Sequence, residues 1–266
     1  MKPQFLDRDG LEEVCRSHPT PFHLYDESTI RQRARLLRQA FAWNPGFREF
    51  FAVKATPIPA ILEILRSEGM GVDCSSLTEL MLATRAGFAG HDVMFSSNVT
   101  PEADMKLAAS MGARISLDDI SHIGFLDRLA GIPETITLRF NPGNSFTIGN
   151  SIMSRPGDAK YGLTRPQLSE GIHLLQARGA RRFGLHAFLS SNTTDAEYYP
   201  ALASLLFRTV VELAEETGAC FDAVNLSGGI GIPYRLEDQP ADILAIGEAV
   251  AREHRRILVP AGLGEV

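Results

Sequence analysis

Two patterns of apolar and polar residues alternate along the chain. Short apolar runs bounded by polar residues or glycine predict buried strands, and longer segments with apolar residues three or four positions apart predict amphipathic helices. Strands are predicted at 50–54, 71–75, 93–97, 114–117, 135–140, 184–189 and 223–226. Helices are predicted at 27–41, 167–178, 196–217 and 241–255, and others begin near Pro57 and Pro101.

Strands that alternate with helices favour a parallel sheet joined by right-handed crossovers. Seven such strands indicate an α/β fold, a (β/α)8 barrel of the TIM type, although the alternation alone would also suit an open sheet. No eighth strand candidate follows the helix at 241–255, so the barrel is predicted to be truncated before that strand. An unclosed barrel exposes two sheet edges. We therefore expect either a fragment of a longer protein or another element that closes the sheet.

Composition narrows the class of protein. The chain has 266 residues, of which 44% are hydrophobic, and a formal net charge of −6. Such a charge does not suit a nucleic-acid or anionic-membrane partner, and no apolar run approaches the ~20 residues of a membrane span. The N-terminal residues do not resemble a secretory signal, and the three cysteines lack metal-ligand spacing. We expect a cytoplasmic protein with reduced thiols and no metal.

Lys54 carries the strongest chemical signal. It follows the apolar and aromatic residues 50–53. A lysine at the end of a buried strand would be partly shielded from water, which favours its neutral amine. A neutral lysine amine forms Schiff bases with carbonyl groups, including that of pyridoxal phosphate. The alternative is that the side chain only extends from the strand end into water.

Other polar groups follow the remaining predicted strands, at the end of a barrel where functional residues gather. Asp73 and Arg139 lie at the ends of the second and fifth strands, and His186 lies in the sixth. The glycine-rich segment 227–231 would present backbone N–H groups to a phosphate, or it would form an ordinary turn. Asp73 could equally cap a helix, Arg139 form an ion pair, and His186 be a hydrogen-bonded core residue.

Six segments, in order, resemble the fold-type III pyridoxal-phosphate decarboxylases, and the diaminopimelate decarboxylases in particular. They are spread over nearly the whole chain, at 20–26, 51–55, 71–80, 138–142, 160–163 and 228–234. The resemblance implies a barrel of the alanine racemase and decarboxylase class that binds pyridoxal 5′-phosphate. It divides the chain into an N-terminal segment, 1–25, and an incomplete cofactor-binding barrel domain, 26–266. On this resemblance we expect the family's C-terminal β-domain to be absent from the chain.

The resemblance also implies roles for individual residues. Lys54 would form the Schiff base with the cofactor, and Asp73 and Arg139 would belong to a charged network behind its ring. The phosphate would be held by Ser191 and by the backbone of Ser227, Gly228 and Gly229.

Two positions depart from the family pattern near the sixth and seventh strands. The family usually stacks a histidine on the ring where this chain has Phe188, so the aromatic stack is kept and the imidazole is not. His186, two residues earlier, is a further cofactor-site candidate. Ser227 replaces the first glycine of the usual triple.

The implied reaction is decarboxylation of an amino acid, with meso-diaminopimelate as the leading substrate and L-lysine as the product. The alternatives are decarboxylation of carboxynorspermidine, ornithine or arginine, and cofactor binding without catalysis. Family enzymes form dimers, so self-association into a homodimer is expected. The family's Glu-Pro-Gly-Arg-like segment and cysteine acid are not present, so this chain by itself is expected to bind the cofactor and to have negligible activity.

Overall fold

The computed structural model of the chain describes residues 5–143, 146, 148, 161–235 and 239–266. The strands are β1 (Phe50–Ala52), β2 (Gly71–Cys74), β3 (Val93–Phe95), β4 (Arg114–Leu117), β5 (Thr135–Arg139), β6 (Arg182–His186) and β7 (Cys220–Asn225). The helices are α1 (Arg8–Ser17), α2 (Glu27–Ala40), α3 (Pro59–Ser67), α4 (Leu77–Arg85), α5 (Glu102–Ser110), α6 (Ser121–Ala130), α7 (Arg165–Gln176), α8 (Tyr198–Thr217) and α9 (Ile243–Ile257).

Within the described residues the seven strands form one parallel sheet in the order β1 to β7. Each strand pairs with the next one along the chain, and β1 and β7 are the two edges. This arrangement confirms the predicted α/β architecture. It has one strand fewer than a closed (β/α)8 barrel.

The two faces of the sheet differ in polarity. Val72, Leu117 and Leu185 are almost fully buried, and they share one hydrophobic cluster with helix residues such as Leu80 and Leu126. The intervening strand residues point to the opposite, inner face, because successive side chains of a strand alternate. That inner face carries polar groups, among them Asp73, Ser116, Arg139, His186 and Asn225. The helices therefore pack on the apolar face, and the polar side chains that could bind a ligand lie on the inner face.

Helix α9 links the two ends of the helical layer. It packs on α8, which precedes the last strand, and on α2, which precedes the first. The contact with α2 is very close, since a Cβ atom at Gly247 would lie 2.1 Å from the carbonyl oxygen of Ala40. Glycine at position 247 is therefore required for the two backbones to approach.

Helix α8 is the longest in the described part of the chain, with 20 residues. Its buried side includes Leu202, Leu206 and Val210, and it is followed by Gly218 in the left-handed conformation. No helix in the described ranges has the length and apolar character that crossing a membrane requires.

Several predicted boundaries were wrong by a few residues. β1 ends at Ala52, so Lys54 lies in a 3-10 turn rather than in the strand. β6 spans Arg182–His186, and Phe188 therefore lies in the loop beyond it. β7 begins at Cys220, a residue expected to precede the strand. Helix α1 was not predicted; it has no buried residue, and the proposed domain boundary at residue 26 stays a prediction.

Candidate active site

Lys54 lies on the rim of the sheet, in the turn formed by Val53–Ala55 directly after β1. Its side chain is exposed, so the expectation that the strand would shield the amine from water was wrong. The physical reason is the early end of β1, which places Lys54 beyond the last paired residue. Its Nζ atom lies 5.9 Å from the centre of the Phe188 ring, within range of a cation–π contact. The amine is thus accessible to a ligand and has an aromatic face beside it.

Asp73 lies next to this lysine on the neighbouring strand. It pairs in register with Ala52, two residues before Lys54. Burial raises the pKa of the Asp73 carboxyl to about 6, although a hydrogen bond from Ser96 and the charges of Arg139 and Lys54 act in the opposite direction. The Ser96 hydroxyl lies 2.6 Å from Asp73 Oδ1. At neutral pH the site therefore holds a carboxylate beside the amine.

Arg139 ends β5; it is buried, and it contacts residues at the ends of three other strands. Its Nη1 atom lies 2.6 Å from Oδ1 of Asp118, and both side chains are 7% exposed. Its Nη2 atom donates to the Ser96 carbonyl oxygen at 3.3 Å, and Nε donates to Nδ1 of His186 at 3.4 Å. The guanidinium group therefore connects the ends of β3, β4, β5 and β6.

Asp118 was not identified from the sequence. It directly follows β4. The sequence does contain a signal for this residue, because Asp118 and Asp119 directly follow the predicted strand at 114–117, where functional residues of a barrel gather. Burial raises the pKa of the Asp118 carboxyl, and the Arg139 charge opposes that effect.

His186 is buried beside Arg139 at the end of β6, with 4% of its surface exposed. The Ser116 hydroxyl lies 3.3 Å from its Nδ1 atom. Burial, followed by the positive charge of Arg139, holds the pKa of His186 well below its usual range. The imidazole is therefore neutral at physiological pH.

The loops after β6 and β7 pair with each other and form a backbone cradle. Thr193 donates its N–H to Gly229 at 2.9 Å, and Gly231 donates to Thr193 at 2.7 Å. Gly229 has φ +86°, and a Cβ atom there would lie 2.9 Å from the Ser190 carbonyl oxygen. The structure thus brings the predicted Gly228 and Gly229 next to the segment that contains Ser191.

Two serines in this cradle differ in what they can offer a ligand. The Ser227 N–H, expected to face a phosphate, already donates to the Asn225 side chain at 2.7 Å. The Ser190 hydroxyl is buried and has no hydrogen-bond partner among the described residues. A buried polar group without a partner is costly, so a ligand oxygen at this point would satisfy it.

The fourth resembling segment and the fifth meet at the same rim. Leu163 donates its N–H to the Arg139 carbonyl oxygen at 2.7 Å, and Asn141 donates to Leu163 at 2.8 Å. Gly162 has φ +94°, and a Cβ atom would lie 2.9 Å from that Arg139 oxygen. Lys160, which belongs to the same sequence segment, lies outside the described residues.

Together these groups suit a ligand with a carbonyl carbon and an anionic phosphate. Lys54 supplies an accessible amine, and the cradle supplies close backbone and an unsatisfied hydroxyl at Ser190. Pyridoxal phosphate has both groups, so the residues present fit it. In the described parts of the chain, no cluster of three or more His, Cys, Asp or Glu side chains could hold a metal ion.

A family model supports the same chemistry. Residues 27–261 match the model described as "Pyridoxal-dependent decarboxylase, pyridoxal binding domain". Protein TabA of Pseudomonas amygdali pv. tabaci is 38% identical over 242 residues, which cover 91% of this chain and 56% of TabA. Diaminopimelate decarboxylase of Thermoplasma acidophilum is 29% identical over 249 residues, covering 93% of this chain and 60% of that enzyme. The chain thus spans somewhat more than half the length of these relatives.

Solved structures share the fold at low sequence identity. Diaminopimelate decarboxylase from Helicobacter pylori, complexed with L-lysine, has a TM-score of 0.80 and 20% identity, covering 91% of this chain and 62% of that one. Lysine decarboxylase from Selenomonas ruminantium has a TM-score of 0.81 and 21% identity, covering 97% and 65%. At these identities the likeness concerns the fold.

Proposed function

The chain belongs to the pyridoxal-dependent decarboxylase family through its pyridoxal-binding domain, and on this premise we propose that it is the cofactor-binding part of an amino-acid carboxy-lyase. The observation that carries the proposal is the exposed Lys54 amine on the same rim as the backbone cradle around Gly229. A lysine and a phosphate cradle at one end of a parallel sheet are the two groups that pyridoxal phosphate requires.

We assign the residues as follows. Lys54 binds the cofactor's carbonyl carbon, and Phe188 gives an aromatic face near that amine. Ser191, with the backbone of Gly228 and Gly229, binds the phosphate, and Ser190 adds its unsatisfied hydroxyl. Ser227 contributes less than its position in the sequence indicates, because Asn225 already accepts its N–H.

The charged residues keep the site in a defined electrostatic state. Asp73 is ionised above its pKa of about 6 and so stabilises a positive charge on or near Lys54. The Arg139 guanidinium group contacts Asp118, Ser96 and His186. Its role is therefore to position these residues on the inner face rather than to bind a ligand directly. When bound, pyridoxal phosphate supplies the electron sink for the loss of CO2 from an amino acid.

For the substrate, meso-diaminopimelate with L-lysine as product is our first choice. Several curated relatives are named diaminopimelate decarboxylase, including those of Thermoplasma acidophilum and Methanothermobacter thermautotrophicus. TabA, at 38% identity, bears a different name, so carboxynorspermidine, ornithine and arginine stay as alternative substrates. We further propose a cytoplasmic homodimer, as in the family that the sequence resembles.

Absorbance titration with pyridoxal phosphate tests cofactor binding, and CO2 release from the four candidate amino acids tests the substrate. We expect saturable binding by the chain that is lost in Lys54→Ala and kept in Lys106→Ala. Lys106 is a suitable control because it is an exposed lysine paired with Glu102 on α5. Equal binding by both variants would refute the role of Lys54. Saturable binding without CO2 release, in a protein that carries the family's C-terminal part, would favour the non-catalytic alternative.

A further inference from the structure

Arg139 and His186 are register partners on β5 and β6, and both are buried on the inner face. Arg139 Nε lies 3.4 Å from His186 Nδ1. The Ser116 hydroxyl approaches the same nitrogen at 3.3 Å. Both of these ring contacts are therefore made by Nδ1 rather than by Nε2.

The chemistry of these groups fixes the position of the imidazole proton. A guanidinium group has N–H donors and no acceptor, so His186 Nδ1 must accept from Arg139. A neutral imidazole carries one N–H, and here that proton is therefore on Nε2. The Arg139 Nε–H and the Ser116 hydroxyl then share the single lone pair of Nδ1.

The surroundings favour the neutral ring. On β5 it faces the positive charge of Arg139, whose partner carboxylate is Asp118. On β4 it faces the neutral Ser116, and on β7 its register partner is the neutral Asn225. Burial and the Arg139 charge both hold the pKa of His186 well below its usual range. A second proton on Nδ1 would displace the Arg139 hydrogen bond and place two positive charges together.

We propose that Arg139 holds His186 in the neutral Nε2–H tautomer, so that His186 gives the site a hydrogen-bond donor and takes no part in proton transfer. The tautomer follows from the protein alone. The donor role rests on the proposed function, since it needs an acceptor oxygen of an anionic ligand bound near Lys54. His186 is therefore a ligand-binding residue, and Arg139 is the positioning residue that acts through it.

The direct test is 15N-histidine NMR of the protein without ligand, in which the two tautomers give different nitrogen–proton correlations. We expect the His186 pattern of a neutral Nε2–H ring that does not change across roughly one pH unit on either side of the ordinary histidine pKa of about 6.5. His91 and His122 provide comparison signals elsewhere on the chain. A proton on Nδ1, or a titration of His186 within that range, would overturn the proposal.

Amide substitutions separate the two ring nitrogens. His186→Gln places an amide donor near the Nε2 position, whereas His186→Asn places it near Nδ1. We expect Gln to keep the affinity for pyridoxal phosphate within about threefold and Asn to weaken it by about tenfold, as for one lost hydrogen bond. The opposite order, or equal losses in two folded variants, would overturn the donor role.

The outcome for this proposal is distinct from that for the proposed function. If Lys54 does not bind pyridoxal phosphate, the proposed function fails, and the ligand-free NMR spectrum still decides the tautomer. If Lys54 binds the cofactor and the His186 Nε2–H resonance moves on binding, the donor role is supported. Cofactor binding that leaves this resonance unmoved would refute it.

Discussion

The Ser96 hydroxyl donates a hydrogen bond to Oδ1 of Asp73 across 2.6 Å, and so joins the residue after β3 to the carboxylate on β2. The Ser96 carbonyl oxygen also accepts from Arg139. One serine thus touches both charged groups that the sequence placed in a network near Lys54. Its removal should change the protonation of the site without removing a charge.

In Ser96→Ala we expect the pKa of Asp73 to rise above its value of about 6, because the ionised carboxylate loses a hydrogen bond. The folded-state pKa is already above the unfolded value, so the folded protein holds this proton more tightly. The contribution of Asp73 to stability therefore falls as pH rises between about 4 and 6, and the variant should extend that fall to higher pH. Denaturant unfolding at several pH values measures the shift.

Ser110→Ala is the matched control, because the Ser110 hydroxyl donates only to the Leu107 carbonyl oxygen on the surface of α5. Its stability profile should follow that of the wild type at every pH. A Ser96→Ala profile that also follows the wild type would contradict the role assigned to this hydrogen bond.

Asp118→Ala should lower the free energy of unfolding by about 3–5 kcal/mol, because it leaves the buried Arg139 without its carboxylate partner. The two side chains are 7% exposed and their atoms are 2.6 Å apart. The exposed Arg178–Asp127 pair provides the comparison, and Asp127→Ala should cost less than about 1 kcal/mol. Urea unfolding distinguishes these values, and similar losses in both variants would contradict the account.

Gly229→Ala should weaken both folding and the binding of pyridoxal phosphate. The position has φ +86°, which costs a residue with a side chain about 1–2 kcal/mol, and the new methyl group would contact the Ser190 backbone. Gly218→Ala has a similar conformational cost, at φ +65°, but adds its methyl group to open space. Thermal unfolding and absorbance titration should show lost stability in both variants and weaker cofactor binding only in Gly229→Ala. Weaker cofactor binding in both variants would mean that the backbone cradle at Gly229 has no specific role in binding.

Gly247→Ala should destabilise the fold by about 1–3 kcal/mol or more, because its methyl group would overlap the Ala40 carbonyl oxygen on α2. Gly124→Ala is the control within a helix, where the nearest atom to a Cβ would be 3.7 Å away on the Arg128 side chain. That variant should gain up to about 1 kcal/mol from helix propensity. Equal melting temperatures for the two variants would argue against the close contact of α9 and α2.

The sequence predicted the alternation of strands and helices because each strand is apolar enough on its helix-facing side to be recognised alone. It also predicted that Lys54, Asp73, Arg139 and His186 would share one rim, since parallel strands end at the same edge. The exposure of Lys54 depends on an exact boundary, because β1 ends at Ala52, two residues before it. Asp118 was not predicted, although the predicted end of β4 at residue 117 agrees with the structure.

The occupied N–H of Ser227 could not be predicted, because it depends on the side-chain conformation of Asn225. The same is true of the pairing between Thr193 and Ile230, which connects two loops far apart in the sequence. Neither loop has a hydrophobic periodicity from which its structure could be inferred. Loop geometry of this kind is set by tertiary contacts rather than by local pattern.

The central claim is that Lys54 is the residue that binds pyridoxal phosphate. The most direct measurement is to incubate the chain with pyridoxal phosphate, reduce with borohydride, and locate the modified lysine by peptide mass spectrometry. The lysines of the chain are Lys2, Lys54, Lys106 and Lys160, so the assignment among lysines is simple. We expect modification concentrated at Lys54 and its loss in Lys54→Ala. Modification spread evenly over the four lysines of a folded chain would contradict it.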